Sequence, residues 1–490
     1  MTQRPTTLGE LRDSGYQPKT IKEEIRDNLT QKLRSGDTVF EGILGFEDTV
    51  VPDMERAMLS RHNILLLGLR GQAKTRIARQ MTGLLDEWTP IIAGSDLNDD
   101  PLNPITRYGR DQVAEHGDAT PVAWLHRDDR YVEKLATPDV SVADLIGDVD
   151  PIKAATLKLP YSDERVIHFG LVPRAHRSIF VINELPDLQA RIQVSLFNIL
   201  QEGDIQIRGF KLRLPLDIQF VFTANPEDYT NRGSIITPLK DRIESQILTH
   251  YPKTVEIARR ITEQEAQIKT ELTDKIRVHD LHQELLERLS FTARESEYID
   301  EKSGVSARLS ISAYENLYST AERRMLINGE ARTTVRITDF WGVIPAITGK
   351  VELVYEGEQE GPYGVAMKII GATVKELFLE HFPNPDQLRR GQDRDPYGTI
   401  RAFFAGGNTV ELLNDMSTTQ YRQALDEVAG LRKLVNRFVA DVPEEDMHIW
   451  MELALQGLAE FDLLTKEVME SKMSFRDDLA DMLGDLGDLN

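Results

Sequence analysis

A lysine followed by a threonine, Lys74-Thr75, closes the run N-I-L-L-L-G-L-R-G-Q-A-K-T that begins at Asn63. An apolar strand, a glycine-containing turn and a Lys-Thr pair opening a helix-forming stretch form the signature of a phosphate-binding loop. The order has a physical reason. The strand fixes the loop, the loop N–H groups turn inward around phosphate oxygens, and the start of the helix adds positive partial charge. Gly68, Gly71, Gln72 and Ala73 make the loop, Lys74 is placed to neutralise β- and γ-phosphates, and the Thr75 hydroxyl is placed to ligate Mg²⁺. Ala73 departs from G-x-x-x-x-G-K-[ST], standing where the second glycine is required. A left-handed backbone at an alanine costs about 1–2 kcal/mol, so looser binding is expected rather than none. By itself the run also fits an ordinary strand-turn-helix junction with a solvated lysine.

Two further apolar runs end in polar residues. Ser178 to Leu188, S-I-F-V-I-N-E-L-P-D-L, is continuous in the manner of a strand buried on both faces of a parallel sheet, and it ends in Asn183-Glu184. In a hydrolysing site the first position holds Mg²⁺ and the second polarises the attacking water. Here Asn183 is an amide where an Asp is usual, which keeps an acceptor oxygen and loses a charge. Weaker Mg²⁺ affinity follows, with Glu184 kept as base, and Asn183→Asp is expected to strengthen the Mg²⁺ dependence. The same residues also suit a plain strand end with a helix-capping Asn. Asp217 to Ala224, D-I-Q-F-V-F-T-A, ends at Asn225-Pro226, where Asn225 is able to orient the same water. Ligands of open parallel sheets sit at the carboxyl ends of strands, so loop, acid and amide are expected to share one crevice.

With these motifs the chain resembles the AAA+ ATPases, in the branch of the magnesium-chelatase I subunit and the MoxR proteins, over roughly residues 40 to 382. Further matching segments are Asp144-Leu145-Ile146-Gly147-Asp148, Pro173-Arg174-Ala175-His176-Arg177, Thr223-Ala224-Asn225-Pro226 and Pro238-Leu239-Lys240-Asp241-Arg242. The resemblance implies an α/β fold: a P-loop AAA+ core, with a parallel sheet flanked by helices, an α-helical lid and a mostly helical C-terminal extension. It implies ATP and Mg²⁺ as cofactors and a self-assembled ring, usually a hexamer, with sites between subunits. Arg242 matches the arginine finger, whose guanidinium stabilises transition-state charge on the neighbour's γ-phosphate, and Arg308 matches the second sensor of the lid. Either arginine read without the resemblance is as well explained by a surface ion pair. Gly45, in I-L-G-F-E-D, matches the segment approaching the adenine base. Part of residues 96–160 matches an insertion in helix 2, and Gln201 onward matches a hairpin with its turn at Gly209.

The elements that must carry these residues divide the chain into an N-terminal helical extension (1–35), the nucleotide-binding core (36–253), the lid (254–382) and the C-terminal extension (383–490). Residues 382–393, with F-P-N-P and R-R-G-Q-D, have the composition of a linker, and an acidic amphipathic stretch runs from Phe475 to Leu489. The length of 490 residues allows two or three sizeable cores. The absence of cysteine excludes disulfides and thiol catalysis. A net charge of −22 argues against nucleic acid as a partner, since phosphate neutralisation needs clustered Lys and Arg. Every apolar run falls well short of the ~20 residues of a membrane span, and no signal-peptide core opens the chain. A cytoplasmic protein is expected.

Asp415-Met416-Ser417-Thr418-Thr419 copies the opening of a metal-dependent adhesion site, but its lead-in is poorly strand-like and too little chain follows for the domain that motif needs. A von Willebrand A domain therefore belongs to a separate partner, of the kind the chelatase and MoxR systems work with. Three readings stand at this level. The first is a ring ATPase that remodels or activates such a partner; the second is the motor subunit of a metal chelatase; the third is a nucleotide-binding scaffold that hardly hydrolyses.

Overall fold

The computed structural model describes residues 4–161, 163–202, 205–207, 210–212, 214–226, 234–388, 395–469 and 472–476. The chain divides into two compact units, Met1–Tyr251 and Pro252–Asn490.

The strands of the first unit are β1 (Ile64–Leu67), β2 (Trp88–Ile92), β3 (Val122–His126), β4 (Tyr131–Leu135), β5 (Gly147–Val149), β6 (Ile167–Phe169), β7 (Ser178–Asn183), β8 (Ile205–Ile207), β9 (Phe210–Leu212), β10 (Ile218–Ala224) and β11 (Ser245–Leu248). Five of them form one sheet in the order β11-β1-β10-β7-β4, and every pairing is parallel. Successive side chains alternate between its faces. Leu65, Phe180, Ile182, Phe220 and Phe222 bury on one side, and Ile64, Leu66, Ile179, Val181 and Val221 on the other. Both faces are covered, which explains why β7 and β10 read as unbroken apolar runs. On the second face lies the helix Ile21–Ser35, started by a Thr20–Glu23 capping box and burying Ile21, Ile25 and Leu29. The expected N-terminal extension thus contributes to the core. Glu24 of that helix takes two 2.7 Å hydrogen bonds from the buried Arg130 guanidinium.

Residues 96–160 are not a single inserted segment. They contain β4, the edge strand of the main sheet, which pairs with β7 so that Leu135 lies opposite Asn183. Ahead of it, β2 and β3 make an antiparallel ribbon. Behind it, the antiparallel β5–β6 pair brackets the helix Pro151–Leu157. Y-V-E-K-L of β4 carries two charges because an edge strand is only half covered, and so it lacks the apolar signal of its neighbours. The hairpin after Gln201 is present as antiparallel β8 and β9; its turn at Gly209 lies outside the described residues.

The second unit is largely helical. Its longest helices are Asp280–Glu295, Arg308–Ile327, Pro362–His381 and Met447–Glu460. A three-stranded antiparallel sheet joins them, built from Val410–Leu413, Lys472–Arg476 and Thr465–Met469. The expected boundary at 382/383 does not separate two cores. Phe378 has Phe382 at 5.0 Å, Phe461 at 5.7 Å and Tyr397 at 6.2 Å between ring centroids, so chain on both sides of the linker-like stretch shares one apolar cluster. Turn-forming composition marks only the local backbone, whereas Tyr397, Ile400 and Phe404 return to the common core. In the 415–419 stretch, Ser417 caps the helix Thr418–Asp426, Asp415 pairs with Arg323 and Thr418 bonds to Glu330. These contacts are structural. The acidic stretch after Arg476 lies outside the described residues.

Candidate nucleotide site

The loop between β1 and the helix Lys74–Gln80 takes its shape from backbone conformation and from the chain just after β11. Gly71 has φ +74° and Ala73 φ +54°. Ala73 therefore adopts the left-handed conformation that a glycine would hold without strain, as the motif departure predicts. Gln72 is buried, and its Oε1 accepts from Thr249 Oγ1 at 2.6 Å. Tyr251 donates to the Arg70 carbonyl at 3.0 Å. A Cβ on Gly68 would strike the Thr249 and Gln72 side chains, so only glycine fits where the loop leaves the strand. The Lys74 ammonium is buried and folded into this loop. It donates to the Gly68 carbonyl, to Leu69 O at 2.9 Å and to Asn225 Oδ1 at 3.1 Å.

Three parallel strands meet here at their carboxyl ends. Thr75 Oγ1 donates to Asn183 Oδ1 at 3.4 Å, and Thr223 Oγ1 donates to the same oxygen at 3.1 Å. The Asn183 Nδ2 group donates to Glu133 Oε1 of β4. The other oxygen of that carboxylate accepts from Arg79 Nη2 at 2.8 Å and Tyr131 OH at 3.1 Å. Burial, followed by the nearby Glu133 charge, pushes the Tyr131 phenol up to about 12. Glu184 follows with φ +54°, and its N–H donates to Thr223 Oγ1 at 3.1 Å. The left-handed residue falls just where the chain leaves β7. Lys74, Thr75, Asn183 and Asn225 are therefore joined at one sheet edge, with Glu184 next in sequence.

Gly45, with φ +80°, lies in a segment whose Phe46 packs edge-on against His250 at 4.9 Å. Thr49 of the same segment bonds to His250 Nε2 at 2.8 Å, one residue beyond the Thr249 that pins Gln72. Arg242 lies apart from the strand ends. Its guanidinium bonds to Gln201 Oε1 at 3.1 and 3.2 Å and to Pro238 O at 2.6 Å, and it sits over the Phe197 ring at 4.9 Å. Arg308 opens a helix of the second unit, where its N–H bonds to Ser306 Oγ at 3.1 Å. Four residues of this edge escape sequence reasoning: Glu133, Thr223, Thr249 and Tyr251. Only Thr223 stood inside a quoted motif, and none belongs to a metal or phosphate pattern by spacing.

The donor set fits a magnesium nucleotide. The Lys74 ammonium is held beside the loop by oxygens of Gly68, Leu69 and Asn225, a Cβ at Gly68 would have no room, and the hydroxyl and amide oxygens nearby are the hard donors that Mg²⁺ prefers. A parallel sheet with such a loop after β1 and polar residues ending β7 and β10 defines a P-loop nucleotide-binding domain. Residues 63–243 match the family described as the AAA domain (dynein-related subfamily), and the chain contains an AAA domain of that subfamily. Among curated proteins it is similar to competence protein ComM of Haemophilus influenzae, at 24% identity over 211 residues, 41% of this chain. The match spans 35% of the length of that relative. Among solved structures it is similar to the BchI–BchD subunit complex of magnesium chelatase, with TM-score 0.33, 19% identity, and coverage of 66% of this chain and 98% of that one. It is also similar to Hsp104 with ATPγS and casein, with TM-score 0.38, 14% identity, and coverage of 66% and 53%. Among the described residues no helix is long and apolar enough to cross a membrane.

Proposed function

We propose that the chain binds ATP with Mg²⁺ at this sheet edge and hydrolyses it as a ring-forming AAA+ motor, usually a hexamer in this family, that remodels or activates a protein partner bearing a von Willebrand A domain. The observation that carries the reading is the hydrogen-bonded series Asn225, Lys74, Thr75, Asn183 and Thr223. It brings a cation, two hydroxyls and two amides to the ends of three neighbouring strands. Bound Mg²⁺ would offset charge between the phosphates, held by Thr75 and by Asn183. Lys74 exchanges loop carbonyls for phosphate oxygens, Asn225 orients the attacking water and Glu184 takes its proton. Gly71, Gln72 and Ala73 supply backbone N–H groups, and the Gly45 segment lies against the base.

Arg242 acts on the neighbouring subunit's nucleotide after leaving Gln201 and Phe197, and Arg308 serves as the second sensor that the resemblance assigns to it. The partner class rests on the resemblance to the chelatase and MoxR systems. Steady-state ATP hydrolysis, measured across protein and Mg²⁺ concentrations, tests the reading. Turnover per subunit should rise with protein concentration. Glu184→Gln should lower it by about 10²–10⁴-fold while nucleotide binding persists, and Arg242→Ala should lower it with site occupancy unchanged. A rate indifferent to both substitutions overturns the assignment, and a rate per subunit independent of concentration overturns the ring.

A further inference from the structure

Asn183 poses a problem for a magnesium site, because an amide brings no charge and its two ends are nearly alike in shape. If it turned over, Nδ2 would face the metal and repel it. The neighbouring strand removes that ambiguity. Glu133 sits on β4 two residues before Leu135, the registered partner of Asn183. Residues i and i+2 share a face of the sheet, so the Glu133 carboxylate and the Asn183 amide meet diagonally on the face that also carries Arg79. An ionised carboxylate only accepts hydrogen bonds. The Asn183 end bonded to Glu133 must therefore be Nδ2, which leaves Oδ1 toward Thr75 and Thr223. Arg79 and Tyr131 in turn hold the second carboxylate oxygen.

We infer that Glu133 is the positioning residue of the Mg²⁺ side of this site. It locks the Asn183 carbonyl toward Thr75 and supplies, one hydrogen bond behind the amide, the negative charge that an Asp at 183 would have carried. The inference rests on the reading of Thr75 and Asn183 as the metal side, and its test separates the two.

The test is equilibrium binding of a fluorescent non-hydrolysable ATP analogue to the full chain, titrated with Mg²⁺ and repeated in EDTA. Glu133→Gln is expected to raise the Mg²⁺ concentration for half-saturation by about tenfold or more, the usual cost of losing an outer-shell partner, with affinity in EDTA unchanged. Arg79→Gln removes the ion pair and keeps the carboxylate, so it should leave the half-saturation concentration where it is or lower it. Asn183→Asp in the Glu133→Gln background should restore the wild-type value. The same change in the wild type should gain less, because it sets a second carboxylate against Glu133.

Wild-type Mg²⁺ dependence in Glu133→Gln overturns the inference, as do equal losses in Glu133→Gln and Arg79→Gln, which would make the pair purely structural. If the wild type binds no nucleotide with or without Mg²⁺, the functional reading falls as well. Mg²⁺-dependent binding that ignores Glu133 removes this inference alone.

Discussion

Among the described residues, Arg61, Ala73, Asn98, Lys158, Arg177 and Glu184 of the first unit hold positive φ without being glycine, and only Asp441 and Asp462 of the second do. Two of the first group belong to the candidate nucleotide site, Ala73 just before the helix that follows β1 and Glu184 at the end of β7. Such conformations cost about 1–3 kcal/mol each and persist where the surroundings over-determine them. In the second unit the polar effort goes inward. Arg324 is 1% exposed and bonds to both oxygens of buried Asp339, at 3.2 and 2.8 Å, and to Thr333 Oγ1 at 2.7 Å. The buried Glu452 carboxylate accepts from the N–H groups of Ile337 and Thr338 and from Tyr421 OH. Both units bury paired charge, Glu24 with Arg130 in the first and Arg324 with Asp339 in the second, but among the described residues only the first sets left-handed non-glycine residues beside the carboxyl ends of its parallel strands.

The sharpest way to break that contrast is to remove a buried partner from the second unit. Arg324→Met leaves Asp339 charged and buried, and should cost roughly 3–5 kcal/mol in denaturant unfolding. Nucleotide affinity of the folded protein should stay the same; a parallel loss of affinity would mean that this pair also serves the site. In the first unit the opposite pattern is expected. Lys74→Ala should weaken nucleotide binding by about 100-fold, from a charged contact worth about 3 kcal/mol, with unfolding of the nucleotide-free protein little changed. Unaltered binding would remove the phosphate-loop assignment.

Buried Glu287 gives the second unit a pH signature. Burial raises its carboxyl from the ordinary 4.5 to about 7, so the folded state holds a proton that the unfolded chain releases. That contribution to stability is complete below about pH 4.5 and is lost as pH rises through 7. Glu287→Gln should therefore raise the melting temperature more at pH 8 than at pH 5, and an equal change at both would mean that Glu287 does not titrate in this range. The smallest effect is expected at the strained loop. Ala73→Gly relieves about 1–2 kcal/mol of left-handed strain and returns part of it as unfolded-chain entropy. A gain of about 1 kcal/mol at most in denaturant unfolding would measure what remains.

Much of this was legible in the chain. Ile64–Leu67, Ser178–Asn183 and Ile218–Ala224 announce themselves as continuous apolar runs because a parallel sheet covered on both faces imposes that composition locally. Lys74-Thr75, Asn183-Glu184 and Asn225 follow directly from where those runs stop, and the left-handed Ala73 follows from one missing glycine. The polar edge strand Tyr131–Leu135 had no such signal, and the turn-like composition near residue 383 pointed to a boundary that the apolar residues on both sides close over.

The sequence by itself determined which strand ends are candidates for chemistry, since loop motif and strand composition are properties of neighbouring residues. Only the tertiary structure decided what those ends touch. Glu133 reaches Asn183 across 50 positions, Thr249 reaches Gln72 across 177, and Gln201 holds Arg242 across 41. Such contacts are set by strand register and by the packing of elements far apart in the chain, and neither spacing nor composition encodes them locally.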